Sequence, residues 1–267
     1  MYNIIYEGDH DKRKDTYLFT PTYKKGSETS LHFHRSFELS YIVDGDMTVS
    51  VNGKDFKAIN DDIVFVQKFY SHRYCATRDS NKFVFIIPPN IYDDFEKILA
   101  QNTLPALLSD KEFNKTLLPT IRKMYEDVDH MPKLVKRGYL SVILGKLIEH
   151  YPLEPIQSDS NIDLLVSILN YIDDNYDKNL TLESVSGAFG YNKYYFSKLF
   201  NRYIGENINN YINIIRLQKL VDKAKKTPDV SITELAFEVG FDSLSTFYRC
   251  FNKNYGAPPK QIFSKSK

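Results

Sequence analysis

One pattern occurs twice in the last part of this chain, and it limits what the chain can fold into more than any other feature. Phe196-Ser-Lys-Leu-Phe-Asn-Arg-Tyr-Ile-Gly205 and Phe247-Tyr-Arg-Cys-Phe-Asn-Lys-Asn-Tyr-Gly256 share F-x-[K/R]-x-F-N-[R/K]-x-x-G at an offset of 51 residues. Upstream, Leu182-Glu-Ser-Val185 and Gly190 correspond to Ile232-Thr-Glu-Leu235 and Gly240 at an offset of 50. A repeat of this kind means one supersecondary unit built twice. Each unit reads as helix, glycine-containing turn, helix, the composition of a helix-turn-helix. Val185, Ser186, Phe189, Gly190, Tyr191, Phe196 and Leu199 are the expected inner residues of the first unit. Leu235, Ala236, Val239, Gly240, Phe241, Phe247 and Phe251 are their counterparts in the second.

Helical periodicity then selects the outer faces. If Phe196, Leu199, Phe200 and Tyr203 are buried, about 100° per residue turns Tyr194, Lys198 and Asn201 outward, with Ser197 at the edge. If Phe247, Cys250, Phe251 and Asn254 are buried, Ser245, Arg249 and Asn252 face outward, with Tyr248 at the edge. Lys193 and Arg202 flank the first face, and Thr246 and Lys253 the second. Cations, amides and hydroxyls on one helix face suit base edges and phosphates of double-stranded DNA. Arg249 is the strongest candidate for bidentate contact to guanine. Between the units, Glu206–Lys226 forms a single helical pattern, long enough to set two recognition helices in successive major-groove segments about 34 Å apart.

Charge agrees. From Lys178 to Lys267 there are 14 Lys and Arg against 7 Asp and Glu, a net of +7, while the rest of the chain carries −6 within an overall net of +1. A basic C-terminal part points to a partner with a negative surface.

These residues resemble the AraC/XylS family of bacterial transcription regulators. The matching stretches are Leu180-Thr-Leu-Glu-Ser-Val185, Tyr194-Tyr-Phe-Ser-Lys-Leu-Phe200, Tyr211-Ile-Asn-Ile-Ile-Arg216, Ser231 to Phe241, and Phe247 to Pro258. Ser186, and Leu220 where the family usually has alanine, depart from the pattern. The resemblance covers residues 162–264 and implies a seven-helix DNA-binding domain with helix-turn-helix units at 181–202 and 231–253. It also implies RNA polymerase as a further partner if the protein is an activator.

Residues 17–87 read as β. Phe37, Leu39, Tyr41 and Val43 alternate with their neighbours, as do Met47, Val49 and Val51, and Asn52-Gly53 is a two-residue hairpin signal. Short strands with close turns suggest a barrel or sandwich. Gly26-x5-His32-x-His34-x3-Glu38-x6-Gly45 resembles the first motif of the cupin superfamily, and His72 stands where its second motif has a histidine. Asp61 replaces a glycine of that second motif, and no proline lies between Ile63 and His72. Three readings stay open for His32, His34, Glu38 and His72: a divalent metal site for Fe, Mn, Ni or Zn, a metal-free effector pocket, or a structural cluster. The pocket with no cofactor is the expectation carried forward. With 20 Tyr, 18 Phe and no Trp, an aromatic interior suits a sugar or small aromatic effector.

After Pro88 the period becomes helical, over 111–128 and 133–151. The second stretch is apolar over more than a third of its circumference, which suggests a homodimer contact, with Leu140 and Ile143 expected on the partner face, as well as a core contact. Pro152, Pro155 and Gln157–Asn161 read as a linker. The expected organisation is a cupin-like effector-binding barrel at 1–90, a helical dimerisation segment at 91–151, a linker at 152–161 and the DNA-binding domain at 162–264.

Two cysteines far apart in sequence argue against a disulfide framework, no window has the length of a membrane span, and the start lacks a signal-peptide pattern. A cytoplasmic α+β transcription regulator responding to a small molecule is the expected whole, and not an enzyme. The competing class is a metal-dependent cupin enzyme fused to a DNA-binding domain.

Overall fold

The computed structural model describes residues 5–6, 15–89, 91–127, 130–157, 160–226 and 230–263. Val128, residues 158–159 of the expected linker and Ser264 lie outside them. The chain divides into two compact units, Met1–Ser158 and Asp159–Lys267.

The first unit carries strands β1 (Ile5–Tyr6), β2 (Tyr17–Phe19), β3 (Thr22–Tyr23), β4 (His32–Phe33), β5 (Phe37–Asp44), β6 (Asp46–Val51), β7 (Lys54–Ile59), β8 (Ile63–Val66), β9 (His72–Ala76) and β10 (Ser80–Ile87). Helix α1 (Asp93–Leu99), the short strands β11 (Asn102–Thr103) and β12 (Leu107–Leu108), helices α2 (Lys111–Glu126) and α3 (Lys133–His150), and β13 (Glu154–Pro155) follow. The strands form two main sheets, β1-β4-β9-β6-β7 and β12-β8-β5-β10-β2, with β3 also on β10. The expected barrel is therefore not closed: among the described residues the two sheets face one another as a sandwich. Asn52-Gly53 makes the two-residue hairpin of β6 and β7, both at positive φ (48° and 78°), with Val51 opposite Lys54.

The second sheet is covered on both faces, which explains why β5 is buried almost throughout. Phe37, Leu39, Tyr41, Ile63, Phe65, Phe85 and Ile87 pack with residues of α1, α2 and α3. The alternate residues Ile42, Val64 and Val66 meet Met47, Val49, Ala58, Tyr74 and Ala76 from the first sheet. Glu38 and Ser40 share that inter-sheet side of β5 with Ile42, as the two-residue strand period requires. Asp61 adopts φ +67°, so the position where the cupin motif has glycine keeps a left-handed conformation here. Its carboxylate accepts the Tyr41 hydroxyl at 2.7 Å.

Two sequence expectations change in this unit. Leu140 and Ile143, on the face of α3 reserved for a partner, are fully buried within the unit, while Leu134, Val135 and Val142 are exposed. Residues 154–155, expected as linker, pair as β13 with β11, and the Ile156 amide donates to the Gln101 carbonyl at 3.0 Å.

The second unit holds α4 (Ser160–Asn175), α5 (Leu182–Ala188), α6 (Lys193–Ile204), α7 (Ile208–Lys226), α8 (Ile232–Glu238), α9 (Leu244–Tyr255) and α10 (Pro259–Phe263). Phe196, Phe200, Phe247 and Phe251 are fully buried, each contributing roughly 1.5–3 kcal/mol of apolar burial. Asn192 caps α6 and Ser243 caps α9 through side-chain oxygens, and Gly205 and Gly256 close the two helices in the left-handed conformation. Among the described residues no helix is long and apolar enough to cross a membrane.

Candidate functional site

Between the two sheets, His32, His34, Glu38 and His72 come together, with one ligand atom from each lying within 4.8 Å of the others. All four are buried. β4 supplies His32, the short link to β5 supplies His34, β5 supplies Glu38, and β9 supplies His72, which stands opposite His32 in the ladder. Each imidazole is oriented by its Nδ1, which donates to a backbone carbonyl: His32 to Ser30 at 2.8 Å, His34 to Ser36 at 2.9 Å and His72 to Tyr70 at 3.0 Å. A carbonyl oxygen only accepts, so the proton of each neutral ring sits on Nδ1 and the Nε2 atoms carry lone pairs.

Glu38 divides its oxygens between two sets of partners. Oε1 accepts from the Tyr74 hydroxyl at 2.6 Å and the Ser40 hydroxyl at 2.8 Å, with the Lys82 ammonium at 3.5 Å. Oε2 faces His72 Nε2 at 3.3 Å and His34 Nε2 at 3.7 Å. Two neutral imidazoles would turn lone pairs toward that oxygen, so the arrangement is attractive only when a proton or a cation lies between. Burial pushes the Glu38 carboxyl up, but Lys82, His34 and His72 outweigh it and hold it well below the usual carboxylate range. Burial pushes Lys82 down to about 8 against the pull of Glu38. Burial and the Glu38 charge both push the Tyr74 phenol well above its ordinary value.

The donor set fits a divalent cation. Three imidazole nitrogens and a carboxylate oxygen are borderline ligands for first-row metals, and each ring already has the Nδ1–carbonyl bond that orients metal-binding histidines. Such a cation would supply charge to Oε2 and to the three Nε2 lone pairs. Ser40, Tyr74 and Lys82 were absent from the sequence reading of this cluster. The two-residue period from Glu38 to Ser40 and from His72 to Tyr74 is the signal that would have found two of them.

In the second unit, Lys193, Tyr194, Lys198, Asn201 and Arg202 are exposed on α6 and Ser197 is half-buried. On α9, Ser245, Tyr248, Arg249, Asn252 and Lys253 are exposed. Thr246 is half-buried, its amide and hydroxyl both hydrogen-bonded to the capping Ser243. Lys193 pairs with Glu183 at 3.2 Å. Two inner residues turn out differently. Asn254 is exposed, its amide donating to the Cys250 carbonyl at 2.8 Å. Tyr191 is also exposed and stacks on exposed Tyr195 at 5.6 Å. Phe189, larger than its counterpart Val239, contacts Phe196 at 6.1 Å in its stead.

Two helix-turn-helix units with basic, hydrogen-bonding outer faces, joined by one helix, define a DNA-binding protein of the double helix-turn-helix class. A helix-turn-helix domain family matches residues 185–265. The multiple antibiotic resistance protein MarA of Escherichia coli (strain K12) is 33% identical over 93 residues, covering 35% of this chain and 72% of MarA. The melibiose operon regulatory protein of the same organism is 22% identical over 249 residues, covering 86% of this chain and 82% of that protein. The uncharacterized transcriptional regulator YdeC of Bacillus subtilis (strain 168) is 21% identical, covering 86% and 84%. Among solved structures, fatty-acid-bound ToxT from Vibrio cholerae aligns over 94% of this chain and 95% of its own, with 15% identity and a TM-score of 0.46. The chain belongs to the AraC/XylS family of DNA-binding transcription regulators.

Proposed function

We propose that this regulator reads DNA with the outer faces of α6 and α9, works as a homodimer, and is controlled by a ligand at the inter-sheet cluster. The observation that carries the ligand reading is the gathering of His32, His34, Glu38 and His72, all buried, with one ligand atom of each within 4.8 Å of the others and every Nδ1 bonded to a carbonyl. A divalent cation satisfies that set directly. A small hydroxylated effector would satisfy it through hydrogen bonds, and the likeness to a melibiose operon regulator makes sugars the first class to try. Thermal unfolding of the full chain with Zn2+, Ni2+ or Mn2+, and with a panel of sugars, tests this. A ligand that raises the transition of the wild type and not of a Glu38→Gln variant supports the site, because binding to the folded state alone stabilises by mass action. Equal shifts in both, or none with any of these ligands, would refute it.

The dimer reading is supported by Val135, Gly138, Val142 and Gly145, which recur at heptad spacing along one exposed stripe of α3. Two such stripes bring helices close together where the glycines lack side chains. Val142→Asp should convert a dimer to monomers in sedimentation, and a wild type already monomeric at micromolar concentration would contradict the reading. Activation through RNA polymerase is the further role that family membership supports, and a cell-free transcription assay with purified polymerase would test it.

A further inference from the structure

The loop between β8 and β9 touches the histidine cluster at one end and the start of the interdomain connection at the other. Its Phe69 adopts φ +65°, a left-handed conformation that a bulky L residue rarely takes, so neighbouring contacts must hold it there. They are visible. The Phe69 amide donates to the His34 carbonyl at 2.9 Å, the Tyr70 amide donates to the Gln67 carbonyl at 3.0 Å, and Lys68 pairs with Glu96 of α1. The Tyr70 carbonyl accepts His72 Nδ1 at 3.0 Å. At the far end of the same side chain, the Tyr70 hydroxyl accepts the Gln157 amide at 2.7 Å and donates to the Gln157 carbonyl at 3.2 Å. Gln157 lies two residues past β13 and ends the described part of the first unit.

We propose that Tyr70 is the positioning residue through which the inter-sheet cluster controls the connection to the DNA-binding unit. Its two polar groups face opposite ways: the carbonyl holds the nitrogen of His72 that fixes the ring against Glu38, and the hydroxyl holds both backbone groups of Gln157. A change on the Nε2 side of His72 reorients the ring, moves its Nδ1 bond, and shifts a loop already in a strained conformation. The aromatic ring has two torsions and no other internal freedom, so it carries the displacement to residue 157. This deepens the reading of the cluster as a ligand site and rests on it.

The test reads the clamp in the full chain without any ligand, by hydrogen exchange at the Gln157 amide. Tyr70→Phe should speed that exchange about five- to tenfold, the loss expected for one hydrogen bond. His72→Phe, which removes the donor to the Tyr70 carbonyl, should do the same from the other end. Glu38→Gln should alter the exchange when Tyr70 is present and leave it unchanged in a Tyr70→Phe background. That dependence separates coupling from general loosening and stays readable if His72→Phe fails to fold. If Glu38→Gln alters the exchange equally in both backgrounds, or in neither, the coupling is overturned. Failure of metal or sugar binding in the thermal experiment would defeat the ligand reading separately, since the exchange measurement does not depend on it.

Discussion

The two helix-turn-helix glycines occupy equivalent places in the repeat but unequal surroundings, and Gly→Ala at each separates conformational cost from steric cost. Gly190 has φ +70° and a Cβ added there meets nothing within 4 Å. Gly240 has φ +93°, and its Cβ would lie 2.8 Å from the Tyr176 carbonyl oxygen, 2.9 Å from that of Asp177 and 3.0 Å from Arg216 Nε. For Gly190→Ala the left-handed conformation costs about 1–2 kcal/mol, offset by about 0.4–1 kcal/mol from a less flexible unfolded chain, leaving roughly 1 kcal/mol. Gly240→Ala carries the same terms and must also move two backbone carbonyls or the guanidinium. Arg216 is buried and donates to the Tyr176 carbonyl and the Lys178 carbonyl, both at 2.8 Å, just beyond the end of α4. Disturbing hydrogen bonds from a charged donor costs about 1.5–3 kcal/mol, so Gly240→Ala should total roughly 3–4 kcal/mol. Urea unfolding followed by far-UV circular dichroism measures the helical unit in both variants. In a double-mutant cycle, Arg216→Met in the Gly240→Ala background should cost at least about 1 kcal/mol less than in the wild type, because the two share an interaction. Equal losses for the two glycine variants, or additivity with Arg216→Met, would refute the reasoning.

The DNA contacts make a simpler prediction. Arg249→Ala should cost about 1–3 kcal/mol of binding and relax preference at one base pair, and Lys198→Ala should act likewise in the other half of the site, both measurable by quantitative mobility shift. The Glu38 carboxyl is held well below its ordinary 4.5, so the unfolded state takes up its proton first, and this contribution to stability starts to fall as pH drops through the carboxylate range and keeps falling below it. Glu38→Gln should flatten that acid limb in thermal unfolding. Asp62, pushed up by burial, slopes the other way and is the same in both proteins.

The second unit was legible because it is written twice. Any residue misjudged in one copy is checked by the other: Gly190 and Gly240 mark both turns, and Phe196 and Phe247 mark both inner faces. The misses fall where the copies differ in volume. Val239 leaves room for Phe241 beside Phe247 at 5.5 Å, whereas Phe189 fills the matching space and turns Tyr191 out. On α3 the apolar circumference was legible, but which part meets the sheet depends on where β5, β8 and β10 present Leu39, Phe65 and Phe85. No local period carries that information. The β13 pairing was hidden for a similar reason, since Pro155 is compatible with a short edge strand as well as with a linker.

The inter-sheet cluster was legible only in part, and the reason bears on what it is for. Alternation along β5 marks Phe37, Leu39 and Tyr41 as one face, and in a sheet covered once the polar alternates Glu38 and Ser40 would meet water. Here helices cover the first face and a second sheet covers the other, so Glu38, Ser40 and Lys82 are all enclosed with three histidines. Apolar residues of similar volume at such positions are often neutral or stabilising, because taking charges out of water costs several kcal/mol per ion. The fold around them already has two apolar clusters, one on each face of the β5 sheet. Nothing in its packing requires a lysine, a glutamate and three oriented imidazoles at its centre. Their orientation is nonetheless specified in detail, by three Nδ1–carbonyl bonds and three donors on a single carboxylate oxygen. Replacing them with apolar residues should therefore cost the fold little, and the proposed ligand site would account for both the cost and the specification.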